Sequence, residues 1–153
     1  MKALTVWQPW ASLIACGVKP YEFRGWYAPK SLIGERIAIH AAARKPKREE
    51  IADLLLQLKG PEPWTMALMP GAIKHLDYWL ANPDRLPLSH VVCTVRLGLP
   101  VLGSDLVKKF GGPVNDSDRD QHSNWGWPML DVEPLVPPEP ATGKQGFWNW
   151  RVS

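Results

Sequence analysis

The sequence has few cysteines and no long apolar run, and both features narrow what the protein can be. Only Cys16 and Cys93 occur among 153 residues. They lie far apart inside apolar stretches, which predicts two buried free thiols rather than a disulfide. A membrane span needs about 18 uninterrupted apolar residues, and no segment of the sequence is that long. Residues 1–9 also lack the apolar core of a signal peptide. We therefore expect a cytoplasmic protein with reduced thiols and no membrane partner.

Motifs typical of several kinds of site are also missing. No Cys-x-x-Cys pair is present, and the four histidines show no spacing typical of a metal site; they are His40, His75, His90 and His122. The sequence therefore predicts neither a metal nor a cofactor. No Gly-x-Ser-x-Gly elbow occurs, although a Ser-His-Asp triad can form without one.

Charge is nearly balanced, whereas tryptophan is abundant. The chain has 18 Lys and Arg against 15 Asp and Glu, a formal net charge of +3, which permits an anionic partner without requiring one. Nine tryptophans far exceed the usual frequency of roughly one residue in a hundred. Because Trp supplies both stacking faces and core volume, we expect most of the nine to serve packing.

Hydrophobic periodicity predicts an α+β domain over residues 1–153, a length that one domain can fill. Helices are indicated from Pro9 to a stop at Gly17 and at residues 47–59, 70–81 and 105–110. Strands are indicated at residues 4–7, 21–26, 36–41, 90–97, 125–135 and 146–152, and the β-branched 90–97 strand is predicted to be central. Residues 111–124 read as a mobile loop. About six strands with intercalated helices predict a partly closed β-barrel with flanking helices.

The most informative segment is the octapeptide at residues 17–24, GVKPYEFR. Gly17 supplies a left-handed helix stop, and a strand beginning at residue 21 places Glu22 and Arg24 on one face. Lys19 beside Glu22 in a partly desolvated cleft can hold a phosphate or carbonyl and orient a water or an amine. The same pair also fits a surface ion pair worth about 0–1 kcal/mol. Arg24 can equally fork two phosphate oxygens or clamp Glu22.

The octapeptide has the form Gly-x-Lys-x-x-Glu-x-Arg and follows residues 7–14, WQPWASLI. Together the two segments resemble the ASCH domain of the PUA-like superfamily. Residues 37–41 (IAIHA), the strand at 91–97 and the closing residues 143–148 (GKQGFW) extend the resemblance over nearly the whole chain.

The resemblance implies a PUA-like β-barrel with a cleft where the motif lysine and acid meet the first helix. It also implies RNA or other nucleic-acid ligands, and one branch of the family hydrolyses the acetyl amide of N4-acetylcytidine. Carried over, Lys19, Glu22 and Arg24 are the motif positions, whereas Gln8 and Trp10 border the cleft. His40 lies on the adjoining strand. In the hydrolase branch a threonine thought to act in catalysis stands at the position of Glu22, so this chain lacks that hydroxyl.

Three functions remain open from the sequence. The first is an RNA- or nucleotide-binding module, in which the basic run at residues 44–48 grips phosphates. The second is a small hydrolase acting on a modified nucleoside or on RNA, with Lys19 and Glu22 as the catalytic acid–base pair. The third is a protein-interaction domain that uses the proline-rich stretch 133–140 and exposed tryptophans. The predicted ligand-binding residues are Gln8, Trp10, Lys19, Glu22, Arg24, His40 and Arg44, and Trp10 also fits core packing by its spacing with Leu13 and Ile14.

Overall fold

The computed structural model describes residues 1–115 and 124–151, and within them strands from both halves of the chain share one mixed sheet. The strands are β1 (Lys2–Val6), β2 (Tyr21–Arg24), β3 (Arg36–Ala41), β4 (His90–Leu97), β5 (Val101–Leu102), β6 (Trp125–Pro140) and β7 (Phe147–Asn149). The α-helices are α1 (Trp10–Ala15), α2 (Arg48–Lys59), α3 (Ala72–Ala81) and α4 (Val107–Phe110).

The strand order is β2-β6-β4-β3-β1-β7, with β5 added to the start of β6. β1 and β3 run parallel, and the other pairs are antiparallel. The sheet is strongly curved: the rings of Trp127 on β6 and Phe147 on β7 stack with centroids 6.0 Å apart, although three strands separate β6 from β7 in the order. In a flat sheet four strand spacings would hold them about 19 Å apart. The six-strand path is therefore the predicted partly closed barrel.

β4 is central, as its β-branched composition predicts. It pairs with β3 on one side and β6 on the other, and Val91 to Val95 are all buried. Cys93, Val95 and Leu97 contribute to the core cluster inside the barrel, whereas Val91 belongs to a smaller cluster with Ala3 and Ala38 on the outer face.

The helices cover the barrel through a second core. α2 buries Ile51, Leu54, Leu55 and Leu58, the positions that its periodicity predicts. In α3 Leu76 is buried as expected, but Trp79 is buried too, and Ile73 and Leu80 are only half-buried. α1 joins the two cores because Leu13 packs with the helices while Ile14 packs inside the barrel.

Several boundaries differ from the sequence-based prediction. β2 ends at Arg24, two residues early, so Trp26 is exposed beyond the strand. Pro9 is the N-cap residue that precedes α1, whereas the sequence predicts it at the first position of the helix. Cys16 is exposed, contrary to prediction, because it directly follows α1 on the solvent side, whereas Cys93 is buried as predicted. Of the predicted loop over 111–124, residues 116–123 lie outside the described part of the chain.

The closing strands also differ from their predicted lengths. β6 runs to Pro140, so the proline-rich stretch is part of the sheet and not a connection. Prolines are tolerated there because pairing with β4 contains two register shifts, and because β2 and β5 pair only with residues 125–128 of β6. Val136 within this stretch is 91% exposed. β7 covers only Phe147–Asn149.

Candidate functional site

The octapeptide begins just after α1, in the turn that ends this helix. Gly17 has φ 75°, a left-handed conformation that glycine adopts without strain. The backbone N–H groups of Val18 and Lys19 both donate to the Leu13 carbonyl, at 3.1 and 3.2 Å. The Pro20 carbonyl then accepts from the Met129 N–H at 2.9 Å, which fixes the start of β2 against β6. Two backbone anchors therefore set the direction of Lys19.

The Lys19 side chain is fully buried. Its Nζ atom lies 3.8 Å from Glu22 Oε1, and the two side chains are 0% and 9% exposed. Nζ also lies over the rings of Trp10 and Phe23, 4.8 and 5.2 Å from their centroids, a distance range in which an ammonium is attracted to a ring face. The pair is therefore not a surface ion pair.

Arg24 clamps the other side of the same carboxylate. Its Nη2 atom lies 2.8 Å from Glu22 Oε2, and the Arg24 side chain is 19% exposed. Nη2 also faces the Thr5 carbonyl at 3.5 Å, and the guanidinium lies 5.9 Å from the ring centroid of Trp127. Arg24 thus reaches from β2 to β1 across the open side of the barrel.

Lys19, Glu22 and Arg24 form what we call the charge row, with one carboxylate between two cations. Each carboxylate oxygen faces a different cation, so the row carries one excess positive charge. Such an arrangement in partly desolvated surroundings attracts an anion more strongly than the same charges in water. Arg24 is the most exposed of the three side chains.

Gln8 is buried, and its amide is engaged inside the protein. Nε2 donates to Ser12 Oγ at 2.7 Å and to the Pro87 carbonyl at 2.8 Å. Oε1 accepts from the Ser12 N–H at 2.9 Å. Gln8 therefore braces the start of α1 against the segment before β4, and its ligand contact stays a prediction.

Trp10 is half-buried and packs at the margin of both cores. Its ring covers the Lys19 ammonium. The structure therefore gives Trp10 the packing role that its helical spacing predicts, in direct contact with the charge row.

His40 faces away from the charge row. It is 2% exposed, with Nε2 2.7 Å from the Ala141 carbonyl and Nδ1 3.2 Å from Thr5 Oγ1. Its ring meets Trp148 edge-on with centroids 5.1 Å apart. Burial lowers the pKa of His40, the hydrogen bond with Ala141 opposes this shift, and nearby His90 adds to it. The resemblance makes His40 a candidate on the adjoining strand; in the structure it contacts Thr5, Ala141 and Trp148, and its ligand contact stays a prediction.

Arg44 forms a second cationic feature, and it stacks on a tryptophan that the sequence reasoning missed. Its guanidinium lies 4.2 Å from the ring centroid of Trp7, and Trp7 is 55% exposed. Nη2 of Arg44 lies 2.7 Å from Glu50 Oε1. Nη1 is buried without a hydrogen-bond partner in the described residues. The sequence feature that could have identified Trp7 is its position directly after β1.

The Trp7–Arg44 pair and Arg24 lie at the same end of β1. Arg24 faces the Thr5 carbonyl, and Trp7 is two residues farther along, about 7 Å at the rise of an extended chain. A partly exposed guanidinium and an exposed aromatic residue therefore both lie near the end of β1. This combination suits a ligand with an anionic group and a flat ring.

Two surface grooves lie elsewhere. One, of about 630 Å³, is formed by Lys2 and parts of residues 140–150, and the other, of about 410 Å³, lies at the end of α2. Neither includes a residue of the octapeptide. Within residues 1–115 and 124–151, no group of three or more His, Cys, Asp or Glu side chains is arranged to hold a metal ion. None of the helices in that part of the chain has the length and apolar character needed to cross a membrane.

A sequence model of the ASCH domain matches residues 4–84, just over half of the chain. The human protein activating signal cointegrator 1 is 45% identical over 51 residues, and its mouse counterpart is 39% identical over 51 residues. These matches cover 33% of this chain and 8% of each relative. The chain therefore matches only a small part of those proteins.

Crystal structures of two mutant forms of the ZmASCH protein from Zymomonas mobilis have the same fold. Each has a TM-score of 0.51 and 15% sequence identity. The superpositions cover 98% of this chain and 87% or 89% of the ZmASCH chains. At this identity the likeness concerns the fold alone, and it supports the partly closed barrel described above.

Proposed function

We propose, given that this chain belongs to the ASCH domain family, that it binds single-stranded RNA or a nucleotide at the end of β1. The observation that carries the proposal is the charge row, in which Glu22 holds Arg24 at 2.8 Å while leaving 19% of the Arg24 side chain exposed. A guanidinium held in place by a carboxylate loses little further freedom when it forks two phosphate oxygens. Lys19, buried behind it, adds positive potential.

Base recognition in this proposal belongs to Trp7. The Arg44 guanidinium covers one region of the Trp7 ring, yet more than half of the residue is exposed. Stacking of a base on an aromatic side chain contributes about 1–3 kcal/mol and tolerates different bases. The site therefore favours unpaired nucleotides, because paired bases in a duplex do not present their faces.

We also propose that residues 1–153 act as one domain. Of the strands, the matched residues 4–84 contain most of β1 and all of β2 and β3. β4, β6 and β7, which come later in the chain, pair with them in the same sheet. Arg24 itself depends on this closure, because its guanidinium packs against Trp127 of β6.

The test is fluorescence anisotropy with a labelled single-stranded RNA over a series of salt concentrations. We expect affinity to fall as salt rises, with a logarithmic slope of about −0.7 for each phosphate neutralised. Arg24→Ala should reduce that slope by about 0.7, and Trp7→Ala should weaken binding about fivefold or more at every salt concentration. Lys59→Ala is the matched control, because it removes one cation from the end of α2.

Two results would overturn this function. One is binding that does not depend on salt, and the other is Arg24→Ala and Trp7→Ala variants that bind like the Lys59→Ala control. Binding to double-stranded RNA with equal affinity would contradict the stacking part of the proposal alone.

A second candidate is hydrolysis of a modified nucleoside such as N4-acetylcytidine. It is favoured by the buried ammonium of Lys19 3.8 Å from the Glu22 carboxylate, a pair able to exchange a proton with a substrate. Against it, both carboxylate oxygens already face cations. Incubation with N4-acetylcytidine and chromatography for cytidine tests the candidate, and turnover unchanged by Glu22→Gln would exclude the assigned role.

A further inference from the structure

We propose a second nucleotide site in the groove beside β7, which binds a nucleoside monophosphate unit, either free or within single-stranded RNA. The site uses residues that the charge row does not contain. We call it the β7 groove, and the residues that carry the argument are Lys2, Thr142, Lys144, Trp148, Asn149 and Trp150.

The β7 groove carries positive charge without a balancing acid. Lys2 and Lys144 both line it, and its lining contains no Asp or Glu. Neither lysine has a carboxylate within 4.0 Å in the part of the chain that the structure describes. Glu139, which lies just before the groove residues in the chain, is paired with Arg151. Charge complementarity therefore favours an anion.

The aromatic wall of the groove is held in place before any ligand binds. Trp148 donates from Nε1 to Thr5 Oγ1 at 2.9 Å and meets the buried His40 ring edge-on. The backbone N–H of Trp150 donates to the Met1 carbonyl at 2.9 Å, and the Arg151 guanidinium lies 4.3 Å from the Trp150 ring centroid. Because these rings are already ordered, stacking a base on them costs little side-chain entropy.

The other wall of the β7 groove is the segment 141–144. Gly143 allows this segment to lie close to the rings of His40 and Trp148. A Cβ atom at Gly143 would lie 2.5 Å from His40 Cε1 and 2.9 Å from the Trp148 ring. Any larger residue would push the 141–144 segment away from His40 and Trp148. The neighbouring Thr5 hydroxyl donates to the Lys144 carbonyl at 2.6 Å, which holds the segment that carries the Lys144 side chain.

The size and chemistry of the groove fit one nucleotide. Its volume of about 630 Å³ lies within the usual range of roughly 300–1,000 Å³ for small-molecule sites. The two lysines suit the phosphate, the indoles suit the base, and Thr142 and Asn149 add hydrogen-bonding groups. An uncharged aromatic ligand would leave both lysines unused.

The β7 groove is close to the charge row but separate from it. Thr5 lies between them, with its carbonyl facing Arg24 and its hydroxyl bonded to the groove segment. The two sites share no ligand-contacting side chain. Failure of one therefore leaves the other testable.

The experiment follows the indole N–H signals of the ¹⁵N-labelled protein during titration with UMP, uridine and inorganic phosphate. We expect saturable shifts of the Trp148 and Trp150 signals with UMP, assigned by Trp→Phe variants, and weaker binding of uridine and of phosphate. Lys144→Ala and Lys2→Ala should each weaken UMP binding about fivefold, the effect of losing one cation contact near water. Lys59→Ala, which removes a cation from the end of α2, should leave UMP binding at the groove unchanged.

A labelled single-stranded RNA then separates the two sources of the nucleotide. If Lys144→Ala lowers the salt slope of RNA binding by about 0.7, the groove takes a nucleotide of RNA. If UMP binding responds to Lys144→Ala while RNA binding does not, the groove takes free nucleotides. The proposal is overturned if UMP and uridine bind equally, if Trp148 and Trp150 do not shift, or if the shifts do not saturate.

Discussion

Arg24 Nη2 lies 2.8 Å from Glu22 Oε2 on one face of β2, and this contact decides how the octapeptide acts. Because Lys19 faces the other carboxylate oxygen, Glu22 orients two cations and is poorly placed to take a proton from a substrate. The geometry of Glu22 therefore supports a role in ligand binding more than a role in catalysis.

Loss of Glu22 should strongly destabilise the fold, since it leaves two cations in a mostly buried site without their shared carboxylate. We expect Glu22→Ala to lower the free energy of unfolding by about 3 kcal/mol, measured by urea denaturation. Glu35→Ala, at an exposed position, is the control. Lys19→Met, Glu22→Gln and the double variant Lys19→Met/Glu22→Gln test whether the two charges are coupled. If they are, the double variant should lose less stability than the sum of the losses in the two single variants. Additive losses would show that Lys19 and Glu22 do not act on one another.

Gly143→Ala should destabilise the protein and distort the β7 groove, because its Cβ would overlap the His40 and Trp148 rings. Overpacking of this kind costs about 1–3 kcal/mol, which thermal unfolding can detect. The matched control is Gly71→Ala, where a Cβ would lie 3.4 Å from a Val18 methyl group. Equal effects of the two substitutions would contradict the close packing of Gly143.

The two thiols should differ sharply in reactivity. Cys93 is buried, and burial raises its pKa to about 12, so almost no thiolate forms at neutral pH. Cys16 is exposed, although its protein surroundings raise the pKa of its thiol while Lys74 opposes that shift. Ellman's reagent should therefore titrate one thiol in the native protein and two in urea. Cys16→Ser should abolish the native reaction, and a remaining fast thiol would show that Cys93 is accessible.

Stability should fall in mildly acidic solution because of His40. Burial lowers its folded-state pKa below the ordinary 6.5, so below that pH the unfolded chain binds a proton that the folded protein does not. The contribution of His40 is fully present above pH 6.5 and is lost as the pH falls toward the folded-state pKa, by at most about 1.4 kcal/mol per pH unit.

Urea denaturation between neutral and mildly acidic pH measures this loss. His40→Gln should flatten the pH dependence of the free energy of unfolding. The comparison variant is His75→Gln, since burial also lowers the pKa of His75. Parallel pH profiles for the native protein and His40→Gln would contradict the assignment.

Local patterns were enough to predict the elements whose neighbours are close in sequence. The apolar spacing of α2 identified all four of its buried leucine and isoleucine positions, and the β-branched content of β4 identified the central strand. The alternation of β2 placed Glu22 beside Arg24. In contrast, the sequence predicts too short a β6, because proline content is a local signal and the pairing with β4 that extends this strand is not.

The amino-acid sequence by itself determined the α+β class, the ASCH resemblance and the residues of the charge row, because these depend on periodicity and on short motifs. Tertiary structure decided what those residues do. The burial of Lys19 under Trp10 and Phe23, the separation of His40 from the row and the stacking of Arg44 on Trp7 all depend on curvature of the sheet and on contacts between distant segments. Such contacts arise from packing of the whole chain, which no local pattern in the sequence records.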